Sequence, residues 1–256
     1  MSTGSFAIET DALSKRYDGA TAVADLDLAI ETGVVYGFLG PNGAGKTTTM
    51  RMLTTLTRPT SGTARVAGHP VEDRPAVVEH LGYLPEEPPL HDELTGREQL
   101  EYVAGLRDVP EAAATERIAD LLDRFDLAAD ADRRIETYSK GMKQKTGIVQ
   151  AILHDPAVLF LDEPTSGLDP RAARTVRDTV ATLAAEETTV FLSTHILPVV
   201  DELADEVGVL SDGRLVAEGA PAELKRRAET GEERTLEEAF LDVTAERDAL
   251  APEEST

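Results

Sequence analysis

The sequence predicts an α/β fold: a mainly parallel sheet, an antiparallel β layer on its N-terminal side, and a helical segment inserted at roughly 87–153. Three observations lead there. The apolar run Val34-Val35-Tyr36-Gly37-Phe38-Leu39 precedes a glycine-rich loop and a helical stretch at 46–56. From Ala157 onward, short apolar runs alternate with amphipathic stretches, as in strands joined by helices. Between these regions, apolar residues recur at helical spacing. With 256 residues and 41% hydrophobic content, the chain can bury a substantial core, as one large domain or one domain with an inserted subdomain.

Taken in order, the short apolar and β-branched segments 6–9, 26–30 and 63–66 are separated by turn residues and predict a small antiparallel layer. The run 34–39 reads as a buried strand. Pro85-Glu86-Glu87-Pro88-Pro89 is a breaker-rich loop. Thr95 and Glu98 form a capping box ahead of a helix reaching about Leu106. The stretch 112–125 places Ile118, Leu121, Leu122 and Phe125 on one helical face, and Ser139 opens a helix to about Leu153. The continuous apolar run 157–161 predicts a strand covered on both faces. Asp169 before Pro170 is a helix start leading into 171–185. A strand at 190–193, a short helix at 196–203 and a hairpin turning at Ser211-Asp212-Gly213-Arg214 follow. Thr235 and Glu238 form a second capping box before a terminal helix.

Composition limits the chemistry. There are no cysteines, so disulfides, thiolate zinc sites and iron–sulfur clusters are excluded. No apolar run approaches the ~18–20 residues that span a bilayer, and residues 1–10 lack a signal-peptide pattern, so a soluble, cytoplasmic chain is expected. The net charge is −23, from 48 acidic and 25 basic residues, only six of them Lys. Such a surface repels nucleic acid and anionic lipid, and no nucleic-acid partner is expected. The excess fits either an acidic binding surface or an adaptation to a salt-rich cytoplasm, and its dispersal along the chain favours the second. The segment 228–256 carries ten acids and two bases and exaggerates the bias without causing it.

The loop Gly40-Pro41-Asn42-Gly43-Ala44-Gly45-Lys46-Thr47 has the G-x-x-x-x-G-K-[ST] spacing between a strand and a helix, which is the context that gives the pattern meaning. Its glycines let backbone N–H groups turn inward around a triphosphate, and the following helix adds its positive end. Lys46 then reaches the β- and γ-phosphates and Thr47 is a Mg²⁺ ligand; Thr48 continues the same turn. Asp162 and Glu163 stand at the end of an apolar strand, where Asp162 can hold Mg²⁺ and Glu163 can polarise the attacking water. Tyr138-Ser139-Lys140-Gly141-Met142 places a hydroxyl and free N–H groups at a helix start, which makes either a plain N-cap or a second anion contact. A second phosphate cradle is redundant in one copy and useful only to grip nucleotide on another.

These motifs resemble, in order and spacing, those of the ATP-binding subunit of ABC transporters, over nearly the entire chain. The loop 40–47 and the pair 162–163 resemble the Walker A and B motifs, 138–142 a variant signature motif, and Ser166-Gly167-Leu168-Asp169 the D-loop. The resemblance implies an ABC ATPase domain over 1–227 on a P-loop NTPase core, with an acidic helical extension over 228–256. It makes His195 the switch histidine that contacts the γ-phosphate, Tyr17 the aromatic that stacks on adenine, Ser139 and Gly141 the trans phosphate contacts, and Glu86 a further Mg²⁺ ligand.

Two departures stand out. Lys140 and Met142 replace a Gly and the Gln of the family's usual Leu-Ser-Gly-Gly-Gln, and Glu86 stands where the family often has Gln. A Glu still ligates Mg²⁺ but cannot donate as an amide does. Both, with 235–241, resemble the ABC-2 type subgroup that exports drugs, antibiotics or ions through separate membrane subunits. The implied function is an ATPase whose two copies, expected to be identical, close on ATP and drive an integral membrane permease from the cytoplasmic face. The rival from another class is a soluble ABC ATPase without a membrane partner, such as a cofactor-assembly scaffold. An inert nucleotide-binding regulator fits poorly, because no hydrolytic residue is missing.

Overall fold

The computed structural model describes residues 6–227; the capping box at Thr235 and Glu238, the terminal helix and the 228–256 extension lie outside them. The first half runs β1 (Phe6–Tyr17), β2 (Ala20–Glu31), β3 (Val35–Leu39), α1 (Lys46–Leu53), β4 (Ser61–Val66), β5 (His69–Pro70), α2 (Arg74–Glu79) and β6 (Leu81–Leu84). The second half runs α3 (Gly96–Leu106), α4 (Glu111–Arg124), α5 (Lys140–Ile152), β7 (Val158–Asp162), α6 (Pro170–Ala185), β8 (Thr189–Thr194), α7 (Leu197–Leu203), β9 (Glu206–Ser211), β10 (Arg214–Gly219) and α8 (Pro221–Arg227).

The strands form two sheets, ordered β2-β1-β4-β5 and β10-β9-β3-β8-β7-β6. The first is antiparallel, as expected, but its strands are longer than the short segments legible in the sequence. β1 and β2, of twelve residues each, make one hairpin turned at Asp18 and Gly19. The polar residues that look like breaks are bulges: Ala12 and Asp25 adopt left-handed φ of 46° and 47°, and the register shifts beside them. Side chains repair the ladder there, with the Ala12 N–H donating to Asp27 Oδ1 at 2.6 Å and the Asp25 N–H to Ser14 Oγ at 2.9 Å. In the second sheet β9, β3, β8, β7 and β6 are parallel, and β10 is antiparallel to β9.

Alternation along the central strands separates two cores. Tyr36, Phe38, Phe160 and Phe191 face the antiparallel layer, with Phe191 at 5.1–5.5 Å from the other three ring centroids. Leu159, Leu161, Val190 and Leu192 face the helices instead. The apolar faces of α3, α4 and α5 join that same cluster through Leu100, Ile118, Leu121, Leu122, Phe125 and Ile148. The inserted helices therefore share the core of the sheet rather than building their own. The α3 capping box forms with both of its bonds, Thr95 N–H to Glu98 Oε2 at 2.8 Å and Glu98 N–H to Thr95 Oγ1 at 3.2 Å. The helix expected over 46–56 stops at Leu53, because the Thr54 hydroxyl bonds back to the Met50 carbonyl at 2.7 Å and Thr55 turns to φ 62°.

Candidate nucleotide-binding and hydrolytic site

Because β3, β8, β7 and β6 run parallel, their C-terminal ends share one edge of the sheet. The register sets Leu39 beside Thr194, Asp162 beside Ser193 and Leu84 beside Leu161. The glycine-rich loop, Asp162-Glu163, His195 and Glu86 are thus delivered to the same place from sequence positions as much as 155 residues apart. They surround a cleft of about 280 Å³ lined by Asn42, Gly43, Gly45, Lys46, Thr47, Thr48, Glu86, Asp162, Glu163 and His195.

Gly40, Pro41 and Ala44 frame the loop without lining the cleft. The Gly40 and Pro41 carbonyls accept from Lys46 Nζ at 2.7 and 3.2 Å, and the Ala44 N–H closes a turn on Pro41 O at 3.2 Å. Gly45 has φ 106°, and a Cβ there would run into the Ala22 carbonyl, so only glycine fits between loop and β2.

Lys46 is 7% exposed, and burial pushes its pKa down while Glu163, Asp162 and Glu86 pull it back up. Burial likewise raises the pKa of Asp162, with Glu163 and Glu86 adding to the effect and its bond from Thr47 opposing it. Three carboxylates around one lysine form a cleft that favours an added cation. Thr47 Oγ1 lies 3.3 Å from Asp162 Oδ2, an oxygen-only pair suited to Mg²⁺. Among the described residues no group of three or more His, Asp or Glu side chains is placed to hold a metal by itself.

Glu163 is held on both oxygens: Thr194 Oγ1 donates to Oε2 at 2.9 Å, and His195 Nδ1 meets Oε1 at 2.8 Å. Its backbone adopts φ 47°, a left-handed conformation costing about 1 kcal/mol or more for a side-chain-bearing residue. Its N–H bonds to the Ser193 carbonyl at 2.8 Å, which fixes the turn. Thr194, fully buried, also accepts from the Ile196 N–H at 3.1 Å, so one hydroxyl anchors both the carboxylate and the segment carrying His195. Sequence reasoning passed over Thr194; the available signal was a β-branched hydroxyl closing an apolar strand directly before the histidine.

Besides Gly40, Pro41 and Ala44, three further expected residues stand outside the cleft. Tyr17, 44% exposed, ends β1, with Lys15 Nζ 4.9 Å from its ring centroid. Ser139 N-caps α5, its Oγ accepting from the Met142 N–H at 3.2 Å, and neither it nor Gly141 lines the cleft that holds Lys46. Tyr138 is buried and its hydroxyl donates to the Asp130 carbonyl at 2.8 Å, which anchors this motif to the preceding loop.

Residues 23–166 match the ABC transporter family. The chain is 47% identical over 220 residues to the daunorubicin/doxorubicin resistance ATP-binding protein of Streptomyces peucetius, covering 86% of this chain and 67% of that protein. It is 38% identical over 224 residues to the bacitracin transport ATP-binding protein of Enterococcus faecalis, covering 87% and 72%. A solved structure described as the ATP binding subunit of an ABC transporter superposes with a TM-score of 0.85 at 31% identity, covering 94% of this chain and all of that one.

Proposed function

The chain belongs to the ABC transporter family, and from that premise we propose that it is the ATP-binding, ATP-hydrolysing subunit of an exporter whose substrate path lies in separate membrane subunits. The observation that carries this reading is the single cleft joining the phosphate loop to a carboxylate held by both Thr194 and His195.

The chemistry follows from that arrangement. The loop 40–47 cradles the phosphates of ATP, and Lys46 leaves the Gly40 carbonyl for the β- and γ-phosphates. Thr47 and Asp162, with Glu86 lining the same cleft, would hold Mg²⁺, which would supply charge neutralisation at the phosphates. Glu163 accepts a proton from the attacking water, and the His195 and Thr194 bonds fix its orientation. Tyr17 offers a face for the adenine. Ser139 and Gly141, which do not line the cleft of their own chain, complete the pocket on a second, identical copy.

No helix among the described residues is long and apolar enough to cross a membrane. By family likeness the transport path is assigned to a permease, with this subunit docked on its cytoplasmic side. A groove of about 780 Å³ between the end of α2, the α3–α4 connection and the end of α5 suits that contact. Leu106 stands 65% exposed on its rim. Arg117 pairs with Asp155, and Glu79, Asp108, Glu116 and Asp120 outnumber the remaining cation, Arg107, so the rim has a negative balance. The occupant is accordingly a basic cytoplasmic segment of the permease. The relatives named for daunorubicin resistance and bacitracin transport support an antibiotic-like cargo.

Glu163→Gln tests the reading. It retains ATP binding, abolishes turnover and yields an ATP-dependent dimer, and the protein co-purifies with a multi-span partner. An active, strictly monomeric enzyme refutes the mechanism, and a dimer that never recruits a membrane protein favours a soluble scaffold.

A further inference from the structure

The chain has six lysines among 48 acidic residues. Five have an oxygen acceptor: Lys15 the Arg58 carbonyl at 2.7 Å, Lys46 the Gly40 carbonyl at 2.7 Å, Lys143 the Asp92 carboxylate at 2.6 Å, Lys145 the Phe125 carbonyl at 2.9 Å, and Lys225 the Asp201 carboxylate. Lys140 alone has no hydrogen bond or ion pair among the described residues.

Its position makes the omission more informative. Lys140 is the first residue of α5, where its charge opposes the helix dipole. Helix propensity therefore gives no reason for a cation here. The side chain is parked over Gly167, in the loop between Glu163 and α6. Gly167 has φ 66°, and a Cβ there would collide with the Lys140 ammonium, so the resting place exists only because that residue lacks a side chain. The nearest carboxylate of that loop, Asp169, is occupied in capping α6 through the Arg171 and Ala172 N–H groups at 2.9 and 3.0 Å. Lys140 is exposed and follows Ser139 directly in the chain, and its ammonium is uncommitted.

We infer that Lys140 is a binding residue for the reaction in trans: it leaves Gly167 on dimer closure and pairs with the terminal phosphoryl oxygens of ATP held by the second copy. The inference rests on the two-copy pocket proposed above and goes beyond it by naming a cation where the family's usual motif has glycine. A charged donor to a phosphate is roughly twice as strong as a neutral one, so the residue adds affinity that Ser139 and backbone N–H groups do not supply. Because the contact involves only the terminal phosphate, it discriminates ATP from ADP.

The test uses the full chain carrying Glu163→Gln, with light scattering reading the ATP concentration for half-maximal dimer. Adding Lys140→Met raises that concentration about tenfold or more, the scale of one lost charged hydrogen bond. Lys140→Arg restores it, while ADP binding to the monomer and the melting temperature stay at the parent values. Dimerisation of Lys140→Met at the parent's ATP concentration overturns the role of Lys140 and leaves the two-copy pocket standing. Equal losses of ADP binding or melting temperature overturn it in favour of a structural role. If the Glu163→Gln parent itself stays monomeric at saturating Mg-ATP, the two-copy reading fails, and the inference with it.

Discussion

Replacing Thr194 by Val removes one hydroxyl from the site while conserving shape. That hydroxyl donates to Glu163 Oε2 at 2.9 Å and accepts from the Ile196 N–H at 3.1 Å, and Thr194 is fully buried beside a glutamate only 9% exposed. A buried hydrogen bond to a charged group contributes about 1.5–3 kcal/mol. If that energy orients the carboxylate toward water, its loss lowers kcat about 10- to 100-fold, at roughly 1.4 kcal/mol per decade. Thr194 does not line the cleft, so KM for ATP should change little. The orphaned Ile196 N–H costs a further ~1 kcal/mol of stability, seen as a lower melting temperature. Thr194→Ser keeps both bonds and restores most of the rate. The assay is phosphate release across an ATP series, with melting measured in parallel. An unchanged kcat in Thr194→Val refutes the claim that this hydroxyl orients Glu163.

Tyr17→Ala should raise KM for ATP roughly tenfold without altering kcat, on the scale of one base–aromatic stacking contact; an unchanged KM removes Tyr17 from the adenine site. His154, at the end of α5, has its pKa pushed from 6.5 down to about 4 by burial and by the nearby Arg107. Between those values the unfolded chain takes up a proton that the folded chain refuses, so the histidine destabilises the fold progressively as pH falls from 6.5 to 4. Relative to His154→Phe, wild type should lose about 3 kcal/mol between pH 7 and pH 4 in denaturant titrations. A constant difference between the two proteins across that range contradicts the neutral, partly buried imidazole.

Most of the hydrolytic cleft was legible because its chemistry is local in sequence. The glycine spacing at 40–47 and the paired acids at 162–163 each carry their signal within a few residues. The parallel core was legible for a related reason, since strands covered on both faces read as unbroken apolar runs. The long β1–β2 hairpin was not, because bulges at Ala12 and Asp25 break the two-residue alternation that marks a strand. β6 escaped as well, being four residues long and ending against the proline-rich loop. Thr194 and the parking of Lys140 on Gly167 depend on contacts across 31 and 27 residues, which no local pattern records.

The central claim is that one copy's phosphate loop works only against the other copy's α5, and mixing two dead variants tests it most directly. Lys46→Ala disables the loop and Ser139→Arg the opposing face, so neither homodimer has an intact pocket. A mixed dimer has one intact pocket, formed by the Ser139→Arg chain's loop and the Lys46→Ala chain's α5. In an equimolar mixture the account predicts recovery of about a quarter of wild-type turnover, half the dimers being mixed and one site in each being whole. A mixture no more active than its components, with mixed dimers verified by mass, would contradict it.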